Sequence, residues 1–111
     1  MKTFETGIQR QKRTQLTEIL EEVIDVPREY WEVLRTKKDG EVMIRQIFIY
    51  LLHKYIGYNY QMIADICGLK NHTTTLRNLR VVDVWLNAPE DYPYQNEIIS
   101  KVIEIYEQRN S

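Results

Sequence analysis

The chain has 111 residues, which is the length of one domain and enough to bury a single core. Its one cysteine, Cys67, excludes an intrachain disulfide and a cysteine-built zinc cluster, and no run approaches the roughly 18 apolar residues of a membrane span. The formal net charge is −1, but residues 1–80 hold 13 Lys or Arg against 10 Asp or Glu, whereas residues 81–111 hold 2 against 6. With no apolar leader at the start, these features predict a cytoplasmic protein.

The first half of the chain shows helical spacing of its apolar residues. A first amphipathic helix is predicted from Thr14 to Val26, with a start as early as Phe4 left open. A short helix is expected after Pro27, and then a basic loop over residues 35–41. The stretch VMIRQIFIYLLHKYI (42–56) is apolar almost all round, which is typical of a central, buried helix.

The second half adds three helices. Asn59 can cap a short helix over residues 60–67 that Gly68 ends, and Asn71 can cap a helix that runs to about Leu86. After a turn, NEIISKVIEIYEQ reads as a last amphipathic helix. No segment alternates as a strand would. The predicted fold is therefore all-α with about six helices, residues 1–25 forming an N-terminal helix that packs on or leads into a domain of residues 26–111.

The short helix, the turn with glycine and the longer helix together form the pattern of a helix-turn-helix. In that motif the second helix lies in the major groove of DNA, and its first residues meet the base edges. His72, Thr73 and Thr74 stand in that first turn, where a threonine can bond a base or a phosphate. Arg77 and Arg80 share a face with Thr73. The alternative is that the threonines only cap the helix and the charges are ordinary surface residues.

The stretch IRQIFIYLLHKYIGYNYQMIADICGLKNHTTTLRNLR (44–80) resembles the C-terminal DNA-binding domain of the bacterial chromosomal replication initiator DnaA. An Arg-Gln pair near the start of an apolar helix and a Gly-x-basic-x-His-Thr-Thr element after a short helix carry the resemblance. It implies an all-α fold like that of the Trp repressor, with no enzymatic role. It also implies a bacterial protein associated with the nucleoid.

The resemblance implies two sets of DNA contacts. The expected base contacts are Asn71, His72, Thr73, Gln46 and, from a basic loop at 35–38 directed toward the minor groove, Lys37. The expected phosphate contacts are Thr74 and Arg45, and the neighbouring cations extend this set to Lys70, Arg77, Arg80, Arg35 and Lys38.

Four positions depart from the family pattern, and they bear on the target sequence. Asn71 replaces an aspartate, and an amide pairs better with adenine than with the amino group of cytosine. Lys37 replaces an arginine and lacks its planar fork. His53 stands where the family often has a lysine, and Leu69 replaces a glycine. We therefore do not expect the target preference of the family.

The expected function is sequence-specific binding of double-stranded DNA in replication initiation and its control or in transcription regulation. No Gly-x-x-x-x-Gly-Lys-[Ser/Thr] loop occurs, so neither a nucleotide nor another cofactor is expected, and no residue set suggests an enzyme or a metal site. Replication proteins or a second copy are open as partners, and a membrane is not expected. The alternative function is a protein-interaction adaptor that kept this fold and lost specific DNA binding.

Three smaller assignments concern residues outside the expected contacts. Arg10, Lys12 and Arg13 are either a solvated helix face or phosphate contacts. Tyr58 and Tyr60 belong to the core or abut a sugar–phosphate chain, whereas Cys67 is expected to be a small buried residue.

Overall fold

The computed structural model describes residues 5–32 and 39–111, and every regular element within them is helical. The all-α prediction is therefore confirmed. None of the helices in these ranges is long and apolar enough to cross a membrane. The elements are α1 (Gly7–Ile24), a 3-10 turn (Arg28–Tyr30), α2 (Asp39–Leu51), a π-helical segment (Leu52–Ile56), α3 (Tyr60–Cys67), α4 (His72–Asn87) and α5 (Pro93–Arg109).

The first helix begins earlier than Thr14 because a capping box starts it. The backbone N–H of Gln9 donates to Thr6 Oγ1 at 3.1 Å, and the backbone N–H of Thr6 donates to Gln9 Oε1 at 2.9 Å. Two of the unpaired donors at the helix start are thereby satisfied. The helix ends at Ile24, where Asp25 takes a left-handed conformation with φ 56°. The helix expected after Pro27 is only a single 3-10 turn.

The helix predicted over residues 42–56 is divided into two parts. α2 begins at Asp39 and ends at Leu51, and the remaining five residues form a π-helical segment that Gly57 ends with φ 82°. A π-helical turn holds more residues than an α-helical one, so it changes which side chains face the core. Leu52 is fully buried here, while His53 and Lys54 are exposed.

α2 lies at the centre of the core, as its apolar sequence predicts. Phe48 is fully buried, and its ring meets that of Trp31 edge-on with the centroids 5.2 Å apart. The indole N–H of Trp31 donates to the carbonyl of Val26 at 2.9 Å, so the only polar atom of this buried side chain has a hydrogen-bond partner. Cys67 is also fully buried, and burial raises the pKa of its thiol to about 12, which keeps it protonated.

A cluster of charged groups joins the start of α1 to the loop before α3. The Glu5 carboxylate accepts from Arg13 at 2.6 and 3.1 Å, from Arg10 at 3.2 Å, and from the hydroxyl of Tyr58. Arg13 also donates to Glu32 at 3.4 Å. Tyr58 is fully buried, so its side chain faces the core and this cluster rather than a sugar–phosphate chain. Arg13 likewise serves an internal ion pair.

These hydrogen bonds favour the charged form of Glu5. The Arg13 guanidinium makes the largest contribution, burial opposes it, and Tyr58 and Arg10 add to it, so the pKa of Glu5 falls from 4.5 to about 2. A lowered pKa in the folded state means that the folded state binds fewer protons than the unfolded state. The resulting stabilisation is complete above pH 4.5 and is lost as the pH falls from there through about 2.

We expect Glu5→Gln to lower the free energy of unfolding by about 2 kcal/mol at pH 7, because a partly buried charged hydrogen-bond acceptor is lost. The difference from the wild type should shrink as the pH falls below 4.5 and should be nearly gone at about 2. Urea denaturation at a series of pH values measures it.

The matched control is Glu22→Gln, because Glu22 pairs with Arg109 at 3.0 Å on the surface, where its side chain is 58% exposed. Exposed pairs contribute little, so the control should change stability by less than about 0.5 kcal/mol. Equal effects of the two substitutions at pH 7 would contradict the role assigned to the Glu5 cluster.

Candidate nucleic-acid interface

The helix-turn-helix predicted at residues 60–80 is formed by α3 and α4. Asn59 caps α3, its side-chain oxygen accepting from the backbone N–H of Met62 at 2.8 Å. Gly68 ends α3 with φ 67°, a left-handed conformation that favours glycine, and Leu69 N–H donates back to the Ala64 carbonyl at 2.8 Å. The bounds of α3 are as predicted, and α4 extends one residue beyond Leu86.

The three threonines at the start of α4 have three different environments. Thr73 is exposed, Thr74 is half-buried, and Thr75 is fully buried. The Thr75 hydroxyl donates to the carbonyl of Tyr60 at 3.0 Å, so it links the first turn of α4 to the first residue of α3. The capping explanation therefore does not apply to Thr75, whose hydroxyl bonds a neighbouring helix. The bond also turns Thr73 outward.

The residues expected to read bases come together at the exposed start of α4. Asn71, His72 and Thr73 are exposed, and Thr74 beside them is half-buried. Asn71 caps the helix, its side-chain oxygen accepting from the backbone N–H of Thr74 at 3.2 Å. The side chains at 71–73 thus point away from the core and form one polar surface at the end of a helix.

Three exposed cations accompany this surface. Lys70 precedes the cap, and Arg77 and Arg80 follow Thr73 by four and seven residues, which places them on its face of α4. Of the ion pairs formed within residues 5–32 and 39–111, none involves these three residues. Their charges are therefore available to an external anion. We call Lys70, Asn71, His72, Thr73, Thr74, Arg77 and Arg80 the α4 face.

The predicted contacts on α2 and in the basic loop are not part of the α4 face. Arg45 is buried, with 3% of its surface exposed, and burial lowers the pKa of its guanidinium. A phosphate contact by Arg45 stays a prediction. Gln46 is half-buried. Arg35, Lys37 and Lys38 lie outside the described residues.

His53 and Lys54 lie near the α4 face. The resemblance places His53 where the family often has a phosphate-binding lysine, whereas Lys54 is not among the expected contacts. Both line a groove of about 470 Å³ whose opposite wall carries Arg80 and Asp83. The ring N–H at Nδ1 of His53 donates to the Tyr58 carbonyl at 2.9 Å, which leaves Nε2 for an outside partner. Helical spacing from Gln46 and Tyr50, which are half-buried, already places His53 and Lys54 on the less buried side of this helix.

Comparison of the chain with protein-family models, with curated proteins and with solved structures returned no match. Within the part of the chain that the structure describes, no three metal-binding side chains are grouped. The candidate interface therefore depends on its residues and their geometry.

We expect Thr75→Val to lower the free energy of unfolding by about 1 kcal/mol, because the substitution keeps the side-chain shape and removes a buried hydrogen bond. Thr73→Val makes the same chemical change at an exposed position and should cost less than about 0.5 kcal/mol. Urea denaturation of both variants measures the difference. If Thr73→Val were the more harmful of the two, the orientation described for α4 would be wrong.

Proposed function

We propose that this chain binds double-stranded DNA in a sequence-specific manner, with α4 in the major groove, and acts in replication initiation and its control or in transcription regulation. One observation carries the proposal: the start of α4 presents Asn71, His72 and Thr73 to solvent, and the exposed cations beside them have no carboxylate partner within the described residues. The resemblance of residues 44–80 to the DnaA domain supports the same function.

The α4 face offers the two kinds of contact that DNA recognition needs. Exposed amide, imidazole and hydroxyl groups at 71–73 suit base edges, where hydrogen bonds distinguish the four base pairs. Lys70, Arg77 and Arg80 suit phosphates, which position the protein without reading sequence. The first backbone N–H groups of α4 also favour a nearby phosphate, since helix starts carry partial positive charge.

The charge distribution is compatible with approach of a polyanion from this side. The net charge of −1 reflects the acidic residues after position 80, whereas residues 68–80 contain three cations and no acid. Local potential, rather than net charge, steers a charged ligand.

A second candidate function is a protein-interaction adaptor that has this fold without specific DNA binding. The burial of Arg45 and the net charge of −1 favour it, because both reduce attraction to DNA. A gel shift at low salt on a pool of random duplexes separates the two candidates: retention supports DNA binding, and its absence supports the adaptor.

We expect His72→Ala to weaken binding to a selected duplex by about 1–3 kcal/mol and to relax the preference at one base pair, because a base contact is lost. Lys70→Ala should weaken binding to selected and random duplexes alike. It should also reduce the slope of log affinity against log salt concentration by about 1, because one phosphate contact is lost. Fluorescence anisotropy titrations at several salt concentrations measure both effects.

Lys101→Ala is the matched control for Lys70→Ala, since Lys101 is an exposed lysine on α5, outside the α4 face. It removes the same charge and should leave both the affinity and the salt dependence nearly unchanged. Equal losses for the two lysine variants would mean that the protein attracts DNA without using the α4 face.

A further inference from the structure

The oxygen and the nitrogen of the Asn71 side-chain amide have different roles. Its oxygen accepts from the backbone N–H of Thr74 at 3.2 Å and so caps α4. Because that partner is a donor, the oxygen and not the nitrogen must face it, which fixes the orientation of the amide. The nitrogen Nδ2, with two N–H donors, is then the end available to a ligand, and the residue is exposed.

We infer that Asn71 determines specificity by donating from Nδ2 to the major-groove edge of a guanine. The inference rests on the proposed function and adds to it the base that this residue reads. It differs from the pairing with adenine expected from the residue type alone, because a two-point contact with adenine needs the side-chain oxygen as an acceptor. Here that oxygen is already engaged by the cap.

Guanine suits an N–H donor better than the other bases do. Its N7 and O6 are neighbouring acceptors on one edge, so an N–H group of the amide nitrogen meets an acceptor over a wider range of positions. Adenine and thymine each offer a single acceptor, and cytosine offers an amino donor, which cannot pair with another donor. The preference should therefore be guanine first and cytosine last at one position of the site.

Asn71→Asp tests this inference because aspartate keeps the cap and reverses the hydrogen-bond chemistry. A carboxylate oxygen can accept from Thr74 N–H as the amide oxygen does, and aspartate is an equally good capping residue. Its other oxygen only accepts, so it can pair with the amino group of cytosine. We expect the preferred base pair at one position to change from G·C to C·G. The variant should bind the C·G version of the site about tenfold more tightly than the G·C version.

The experiment is selection of duplexes from a random pool by the whole chain, followed by binding titrations on the G·C and C·G versions of the selected site. Asn71→Ser is tested in parallel, since serine also caps a helix but offers no amide donors. The serine variant should lose the preference at that one position and keep it at the others. These two results together support the inference.

Asn59→Asp is the matched control, because Asn59 is the exposed cap of α3 and accepts from Met62 N–H at 2.8 Å. It adds the same charge in the same structural role, and it should leave the preferred site unchanged. Thermal unfolding should show that all three variants keep the fold.

The failure of this inference can be distinguished from that of the proposed function. If the wild type enriches a site and Asn71→Asp or Asn71→Ser enriches the same base pair at every position, the assignment of Asn71 is overturned while DNA binding stands. If Asn59→Asp produces the same change as Asn71→Asp, the effect is one of charge, and the assignment is again overturned. If the wild type enriches no site, both the inference and the proposed function fail.

Discussion

The rotation of α4 about its own axis is the constraint on which the candidate interface depends. Thr75, Leu79, Val82 and Trp85 form its buried stripe, and the Thr75 hydroxyl bonds the Tyr60 carbonyl at 3.0 Å. Successive side chains on an α-helix are separated by about 100°, so a shift of one residue would bring a different set to the surface. With the buried stripe in place, Thr73 and the two arginines that follow it must face outward. The position of α3 thus determines which groups α4 can offer to a ligand.

The start of the chain contributes to the same arrangement through the loop before α3. Tyr58 lies between Gly57, which ends the π-helical segment, and Asn59, which caps α3. Its hydroxyl bonds Glu5 and its carbonyl accepts from His53, so both of its ends are held. α1 also joins α5 through the pair of Glu22 with Arg109. The N-terminal helix therefore supports the element that positions the helix-turn-helix, in addition to packing on the core.

The placement of charge separates two kinds of surface on this protein. The acids in the ion pairs of the described residues are Glu5, Glu21, Glu22 and Glu32, which lie in or near α1. Their partners are arginines of α1, the 3-10 turn and α5. The cations of α4 take no part in these pairs. A protein with a net charge of −1 can in this way keep a cationic face, because residues 68–80 contain three cations and no acid.

The sequence by itself determined the features that depend on residues close together in the chain. Asn59, Gly68 and Asn71 act within four residues of themselves, so the bounds of α3 and the start of α4 could be read directly. Tertiary structure alone decided the features that join distant residues: the bond of Glu5 to Tyr58, the burial of Arg45, and the division of the threonine run by the contact of Thr75 with Tyr60. It also decided the π-helical segment, which has no periodic signal of its own. The physical reason is that caps and turns are local hydrogen bonds, whereas burial depends on which helices pack together, and no single segment contains that information.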